Sequence, residues 1–308
     1  MKWTNRGHEL DELGARYVQV RNLYIWGAVR KWEALAKLLG WLGFSRWKHA
    51  VPYSGEACVK FLRWLGIADD FQIRFVDSAS AKWGTDVCGY RVISPNDFFA
   101  SVNASDVVVI TPLGRYDEIV DSFPANIRGG MGNVFNWSNI NNKQTNEFIR
   151  HFLCVYLLYK YDKLLSHWAN YNVTTRCNLN CKNCLNFSGY INVQQDKTFD
   201  DFKNHIDVVF SKFDYLYSLH FTGGESLLNK DLCKMLKYIG DEYGDRVYDL
   251  FFITNGTLIP NQELLDVLRQ VNCWVIIDDY SASVPKCVEN VPKLPRPFHK
   301  IFSLNKNT

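Results

Sequence analysis

The sequence predicts an α/β protein with two parallel-sheet domains. At 308 residues the chain is long enough for two domains, each able to bury its own core. Short apolar runs alternate with helical patterns along most of it, the habit of strands joined by helical crossovers. One stretch near the middle, ANIRGGMGNVFNWSNINNKQTN (125–146), is rich in Gly and Asn, lacks periodicity and reads as a loop.

In the first region, NLYIWGA (22–28), FQIRFVD (71–77), GYRVISP (89–95) and DVVVITP (106–112) are the strands. Between them, RKWEALAKLLGWLGF (30–44) spaces Trp32, Leu35, Leu38, Leu39 and Leu42 as one helical face, and GEACVKFLRWLGI (55–67) does so with Val59, Leu62 and Leu65. The pattern implies a small parallel sheet, Rossmann-like in kind, over residues 1–130. Residues 131–166 then read as a linker and a connecting helix, EFIRHFLCVYLLYKYDKLL (147–165).

The region 167–308 repeats strand, loop and helix. HWANYNVTTRC (167–177), YLYSLHF (215–221), DLFFITN (249–255) and CWVIID (273–278) are strands, and helices fall at 198–213, 230–240 and 261–270. The first of these helices carries Phe199, Phe202, Ile206, Val209 and Phe213 on one stripe.

Composition excludes several classes. With 47% hydrophobic and 22% charged residues the chain is globular, and a net charge of +3 without a Lys/Arg run gives no sign of nucleic-acid binding. The N-terminus lacks the apolar core of a signal peptide, and no stretch approaches about 18 uninterrupted apolar residues, so no membrane span is expected and a cytoplasmic location is. Nine cysteines, three of them within eight residues, do not suit a disulfide framework. Reduced thiols or metal ligands fit better.

Those three, Cys177, Cys181 and Cys184 in RCNLNCKNC, lie on a loop directly after a strand. Three thiolates so close can hold a four-iron cluster and leave one iron open to an outside ligand. A structural zinc site is the competing reading, but zinc normally takes four closed ligands, and no second Cys-x2-Cys knuckle is present. Cys233, Cys273 and Cys287 are far apart and read as small buried hydrophobes. The seven histidines form no ligand pairs; only His220 lies near the cysteine loop's neighbours, where it is expected to face a helix.

Three further motifs close the following strands: Thr222-Gly223-Gly224-Glu225, then Thr254-Asn255-Gly256, then Asp278-Asp279-Tyr280. Paired glycines let backbone approach a ligand, and a carboxylate such as Glu225 can accept from an ammonium group. Singly, Asn-Gly is a common turn and paired aspartates often cap helices. All four motifs fall at the carboxyl ends of successive strands, the rim where parallel β/α folds bind ligands.

The Cys-x3-Cys-x2-Cys loop, with Gly-Gly-Glu after it, resembles the signature of radical SAM (S-adenosylmethionine) enzymes. The resemblance implies a [4Fe-4S] cluster on Cys177, Cys181 and Cys184. It also implies SAM on the rim, with Thr222, Gly223, Gly224 and Glu225 at its methionine end and Thr254, Asn255, Asp278 and Asp279 beside its ribose and adenine. Activity would be reductive cleavage of SAM to a 5′-deoxyadenosyl radical that takes hydrogen from a substrate, with an external electron donor such as flavodoxin or ferredoxin. No residue is singled out as catalytic. Asn183 stands where many members have an aromatic.

The region after Cys177 shows four clear strands, against six units in the family's usual barrel, and the prolines after Tyr280 argue against a further long helix and strand. A shortened partial barrel or a fragment is therefore expected, and the alternative function is a non-catalytic iron–sulfur binding module. The N-terminal region resembles the Rossmann-like modules attached to some sugar-modifying enzymes, with Asp77 and Lys82-Trp83-Gly84 as its markers. That favours a sugar or polysaccharide substrate and leaves a peptide or other small molecule open. It lacks G-x-G-x-x-G, so nucleotide binding there is not expected and Asp77 reads as a turn or capping residue.

Overall fold

The computed structural model describes residues 6–28, 54–112, 114–137, 146–182, 184–280, 284–290 and 299–303. The helix expected at 30–44, and Asn183, lie outside them. The chain divides into two compact units, Met1–Asp162 and Lys163–Thr308.

The first unit contains α1 (Arg6–Tyr17), β1 (Asn22–Trp26), α2 (Gly55–Trp64), β2 (Gln72–Val76), β3 (Asp86–Val87), β4 (Tyr90–Ile93), α3 (Pro95–Ser101), β5 (Val107–Ile110), α4 (Tyr116–Asp121), α5 (Ala125–Arg128) and β6 (Val134–Asn136). Its sheet order is β3-β4-β2-β1-β5-β6, parallel except for the β3–β4 hairpin. The parallel strands alone run 3-2-1-4-5, the order of a doubly wound sheet, with the reversal between β1 and β5. Helix α2 starts on Ser54, whose hydroxyl accepts from the Ala57 amide. Glycine is required at position 55, because a Cβ there would come within 2.5 Å of Phe75 and 2.8 Å of Ile25.

The segment 125–146, expected as a loop, contributes α5 and β6, and β6 extends the sheet beside β5. Three-residue strands carry too little pattern to be read from sequence. A π-helical stretch, Phe148–Leu153, continues into α6 (Cys154–Tyr161), and Phe148, Phe152 and Tyr156 stack along it at ring distances of 5.3 and 5.4 Å. Asp162 ends this helix in the left-handed conformation. The connecting helix thus belongs to the first unit, which extends well past residue 130.

The second unit is a run of parallel β/α repeats: β7 (Leu165–Ser166), β8 (Ala169–Thr174), α7 (Phe199–Phe210), β9 (Tyr215–Gly223), α8 (Leu232–Tyr243), β10 (Val247–Thr254), α9 (Gln262–Gln270), β11 (Cys273–Asp279), α10 (Pro285–Asn290) and β12 (His299–Ser303). β7 and β8 both pair with the same strand, β9, and the order then follows the chain, β9-β10-β11-β12, with every pairing parallel. β12 corrects the four-strand expectation. The prolines do not prevent it, because Pro285 opens α10 at a position that needs no amide donor and the others precede the strand.

Between strands and helices lies a core of Val173, Leu219, Phe221, Leu250, Phe252, Val275 and Ile277 against Phe202, Ile206, Met235, Leu236, Leu264 and Leu268. Each such aromatic or aliphatic side chain stabilises by roughly 1.5–3 kcal/mol on burial. Phe210 is buried in α7, whereas Phe213 follows the helix end and is 37% exposed. Among the described residues no helix is long and apolar enough to cross a membrane.

Candidate cluster and ligand site

The cysteine loop is closed at a neck. Thr175 and Gln195 exchange hydrogen bonds, the Lys197 amide donates to the Val173 carbonyl, and Thr174 forms a bridge with Asp196. Asp196 also receives a forked ion pair from Arg176, Nε to Oδ1 at 2.9 Å and Nη2 to Oδ2 at 2.6 Å, and the Thr174 hydroxyl at 2.6 Å. Sequence gave no sign of this Arg176–Asp196 clamp, since the partners are twenty positions apart and only the fold joins them.

The Gly-Gly-Glu turn presses against that neck. The amides of Gly224 and Glu225 donate to the carbonyls of Thr174 and Arg176, at 2.9 and 2.8 Å. A Cβ on Gly223 would lie 2.4 Å from the Thr174 carbonyl oxygen, and one on Gly224 only 2.0 Å from that of Arg176 and 2.9 Å from the Cys177 Cβ. Both glycines are therefore needed for backbone to meet backbone.

Glu225 is fully buried. Its Oε1 accepts from the Leu227 amide and the Thr254 hydroxyl, and its Oε2 accepts from the Asn255 amide at 2.7 Å. Burial raises its carboxyl, as does the Asp278 charge, while those three donors oppose the rise. The residue expected to meet a ligand ammonium thus ties the ends of β9 and β10 together.

Asn255 reaches the cysteine loop. Its side-chain Nδ2 donates to Asn178 Oδ1 at 3.0 Å and approaches Cys177 Sγ at 3.8 Å, and its Oδ1 accepts from the Thr257 amide and hydroxyl. Asn178 in turn donates to the Thr257 hydroxyl. From the far side, α10 holds this turn through Cys287 Sγ to the Asn255 carbonyl and Asn290 to the Thr257 carbonyl.

Cys177, Cys181 and Cys184 are free thiols, each half-buried. They share one neighbourhood. Burial first, then the charges of Glu225, Cys181 and Cys184, push the Cys177 thiol up against the Leu179 amide that donates to it. The Tyr280 hydroxyl, at the end of β11, hydrogen-bonds Cys181 and is raised by burial and by the charges of Cys181, Asp278 and Cys184. Among the described residues no three His, Cys, Asp or Glu side chains converge as a single-ion cage. A four-iron cluster makes a different demand: each thiolate binds its own iron, so the thiols must surround a common space and not one point. Three half-buried thiols on one closed loop, with Cys177 beside a glycine turn, fit such a cluster.

Thr174 pairs with Gly223, Thr254 with Ile277 and Asp279 with Ser303, so the strands end in step. Thr222 sits one residue before the glycine turn, and Thr254 is buried with its hydroxyl on Glu225. Asp278 is half-buried, burial raises its carboxyl, and no hydrogen-bond donor meets it among the described residues. His220 does not face a helix. It alternates with the core residues Leu219 and Phe221 and packs on the opposite face, its ring 4.5 Å from Trp168 and 4.7 Å from Phe251, with Nε2 2.6 Å from Ser218 Oγ.

Residues 171–284 match the Radical SAM superfamily. An uncharacterized protein of Methanocaldococcus jannaschii is 36% identical over 106 residues, 33% of this chain and 35% of that protein. The S-adenosylmethionine-dependent nucleotide dehydratase of Selenomonas ruminantium is 28% identical over 101 residues, 33% of this chain and 34% of that protein. The matched span is about a third of the length of each relative. The C-terminal half of this chain carries a radical SAM domain, which supports SAM-dependent radical chemistry in general.

Proposed function

We propose that Cys177, Cys181 and Cys184 hold a [4Fe-4S] cluster and that the adjoining rim binds SAM. When bound and reduced by one electron, the cluster supplies the electron that splits the sulfonium bond of SAM and releases the 5′-deoxyadenosyl radical. The chain's own residues bind and orient. The Arg176–Asp196 clamp fixes the neck, and Gly223 and Gly224 present bare backbone beside Cys177 for the methionine end. Glu225 and Thr254 act as positioning residues that keep the turn and Asn255 in register. Thr222, Asn255 and Asp278 are the polar groups proposed to face SAM; Asp278 carries an acceptor that no described protein donor occupies.

The observation that carries the reading is that three free thiols share one stapled loop at the strand ends, against a turn where no Cβ fits. The fifth strand position, β12, removes the main ground for a non-catalytic, truncated module. For the substrate we favour a hydroxyl-bearing small molecule, a nucleotide or a sugar. The dehydratase relative and the N-terminal resemblance support it, as do the polar side chains of Ser218, His220 and Asp278 on the non-helical face.

Anaerobic reconstitution is expected to load about four irons per chain and to give dithionite-dependent 5′-deoxyadenosine. Replacing Cys177, Cys181 or Cys184 by Ser should abolish both. One zinc per chain, or a cluster without SAM cleavage, would overturn the proposal.

A further inference from the structure

We propose, resting on the iron–sulfur reading above, that Asn255 and Tyr280 set the reduction potential of the cluster. Each does so by donating a hydrogen bond to the sulfur of a ligand cysteine, Asn255 to Cys177 and Tyr280 to Cys181.

The Asn255 side chain has one possible orientation. The Thr257 backbone amide, which can only donate, meets one end of it at 3.0 Å, so that end is Oδ1 and the other is Nδ2. Nδ2 then stands 3.0 Å from Asn178 Oδ1 and 3.8 Å from Cys177 Sγ, with one hydrogen for each. The backbone of Asn255 is held as well. Its amide donates to Glu225 Oε2 at 2.7 Å, and its carbonyl accepts from Cys287 Sγ at 3.3 Å. A turn alone asks for less. Closing Asn255 onto Thr257 needs only an acceptor, which Asp or Ser would supply equally well. What asparagine adds is a pair of N–H donors turned toward the cysteine loop.

Cys177 has a second donor in the Leu179 amide, 3.4 Å from its sulfur. Cys181 is met by the Tyr280 hydroxyl at the end of β11, and because a thiolate can only accept, the hydroxyl donates. Hydrogen bonds to the sulfurs are among the features that fix the potential of such a cluster. Reduction adds one negative charge, so a donor on sulfur stabilises the reduced form more than the oxidised form and raises the potential. Glu225 beside Cys177 and Asp278 beside Tyr280 act the other way when ionised. Those carboxylates, and Arg176, Lys182, Asp196 and Lys197 on the loop, stay unchanged in the variants below, which therefore report the donors alone. The donors serve different sulfurs, so their contributions should add.

The test is a redox titration of the reconstituted full chain without SAM, read by electron paramagnetic resonance of the reduced cluster. Tyr280→Phe removes one hydroxyl, and Asn255→Ser keeps an acceptor for the Thr257 amide while losing the donor to Cys177. Each should disfavour reduction about threefold to tenfold, roughly 30–60 mV downward for a one-electron couple. The double variant should fall by the sum, with about four irons per chain retained throughout. Asn290→Ala is the control, because it loosens the same turn at the Thr257 carbonyl and removes no donor to sulfur. Its potential should match the wild type. Full clusters at an unchanged potential in both donor variants would overturn the proposal, as would an equal fall in Asn290→Ala. If Asn255→Ser takes up no iron, an unchanged potential in Tyr280→Phe overturns it alone. A wild-type chain that takes up no iron would overturn the proposed function itself.

Discussion

Two parallel sheets end in two polar rims, and the rims differ in whether their polar groups are already occupied. In the first unit, Thr111 donates to the Trp26 carbonyl at 2.8 Å. Asp77, at the end of β2, accepts from the Ala79 amide and from Lys82 Nζ, at 2.9 and 2.6 Å. Among the described residues these two polar groups of the first rim are occupied. In the second unit Glu225 is closed in the same way, but beside it stand three free thiols and Asp278, which no described donor meets. The lesson is that being polar and placed at strand ends does not make a site. What the proposed site adds is bonding capacity left open at the same place, as at Asp278.

The sharpest way to break this contrast is at Gly224. Gly224→Ala would drive a Cβ into the Arg176 carbonyl oxygen, a backbone atom that cannot swing away. The expected cost is about 3 kcal/mol or more, with loss of iron binding, read by denaturant unfolding and iron analysis. Next comes Asp77→Ala, which orphans the Ala79 amide and Lys82. About 1–3 kcal/mol should be lost from the first unit, with iron content and 5′-deoxyadenosine formation unchanged; a fall in either would show that the first rim also serves the chemistry.

The smallest effect concerns Asp207, a satisfied carboxylate on helix α7 and outside both rims. Lys203, first, then Tyr238 and Tyr243 donate to it and hold its carboxyl down at about 2. Because the folded value lies below the unfolded one, its contribution is present above pH ~4 and is lost as pH falls from there through about 2. The carboxylate is partly exposed, so the contribution is under about 1 kcal/mol. Asp207→Asn should lower the urea midpoint at neutral pH, and its difference from wild type should vanish near pH 2.

Much of the second unit was legible because its signals are local. Cysteine spacing, the Gly-Gly-Glu turn and the helix periodicities each occupy a few consecutive residues. The rest depended on pairing. Whether Glu225 faces a ligand or the next strand is decided by how β9 and β10 align, and the Arg176–Asp196 clamp exists only once the loop closes. Strands β6 and β12 escaped notice for another reason: one has three residues and the other follows a proline-rich stretch, so neither shows a period. His220 was misplaced because one step along a strand reverses the face, and β9 is apolar on both.

The neck of the cysteine loop has one further consequence. Many small metal sites are assembled by the metal, whose binding energy must offset the entropy of ordering the chain around it. Here the Thr174–Asp196 bridge, the Arg176 fork and the Gly223–Gly224 contact close the loop through protein–protein contacts. On the proposed cluster reading, iron and sulfide would enter a loop that the protein's own bonds close, and loss of the cluster would be expected to leave those bonds in place.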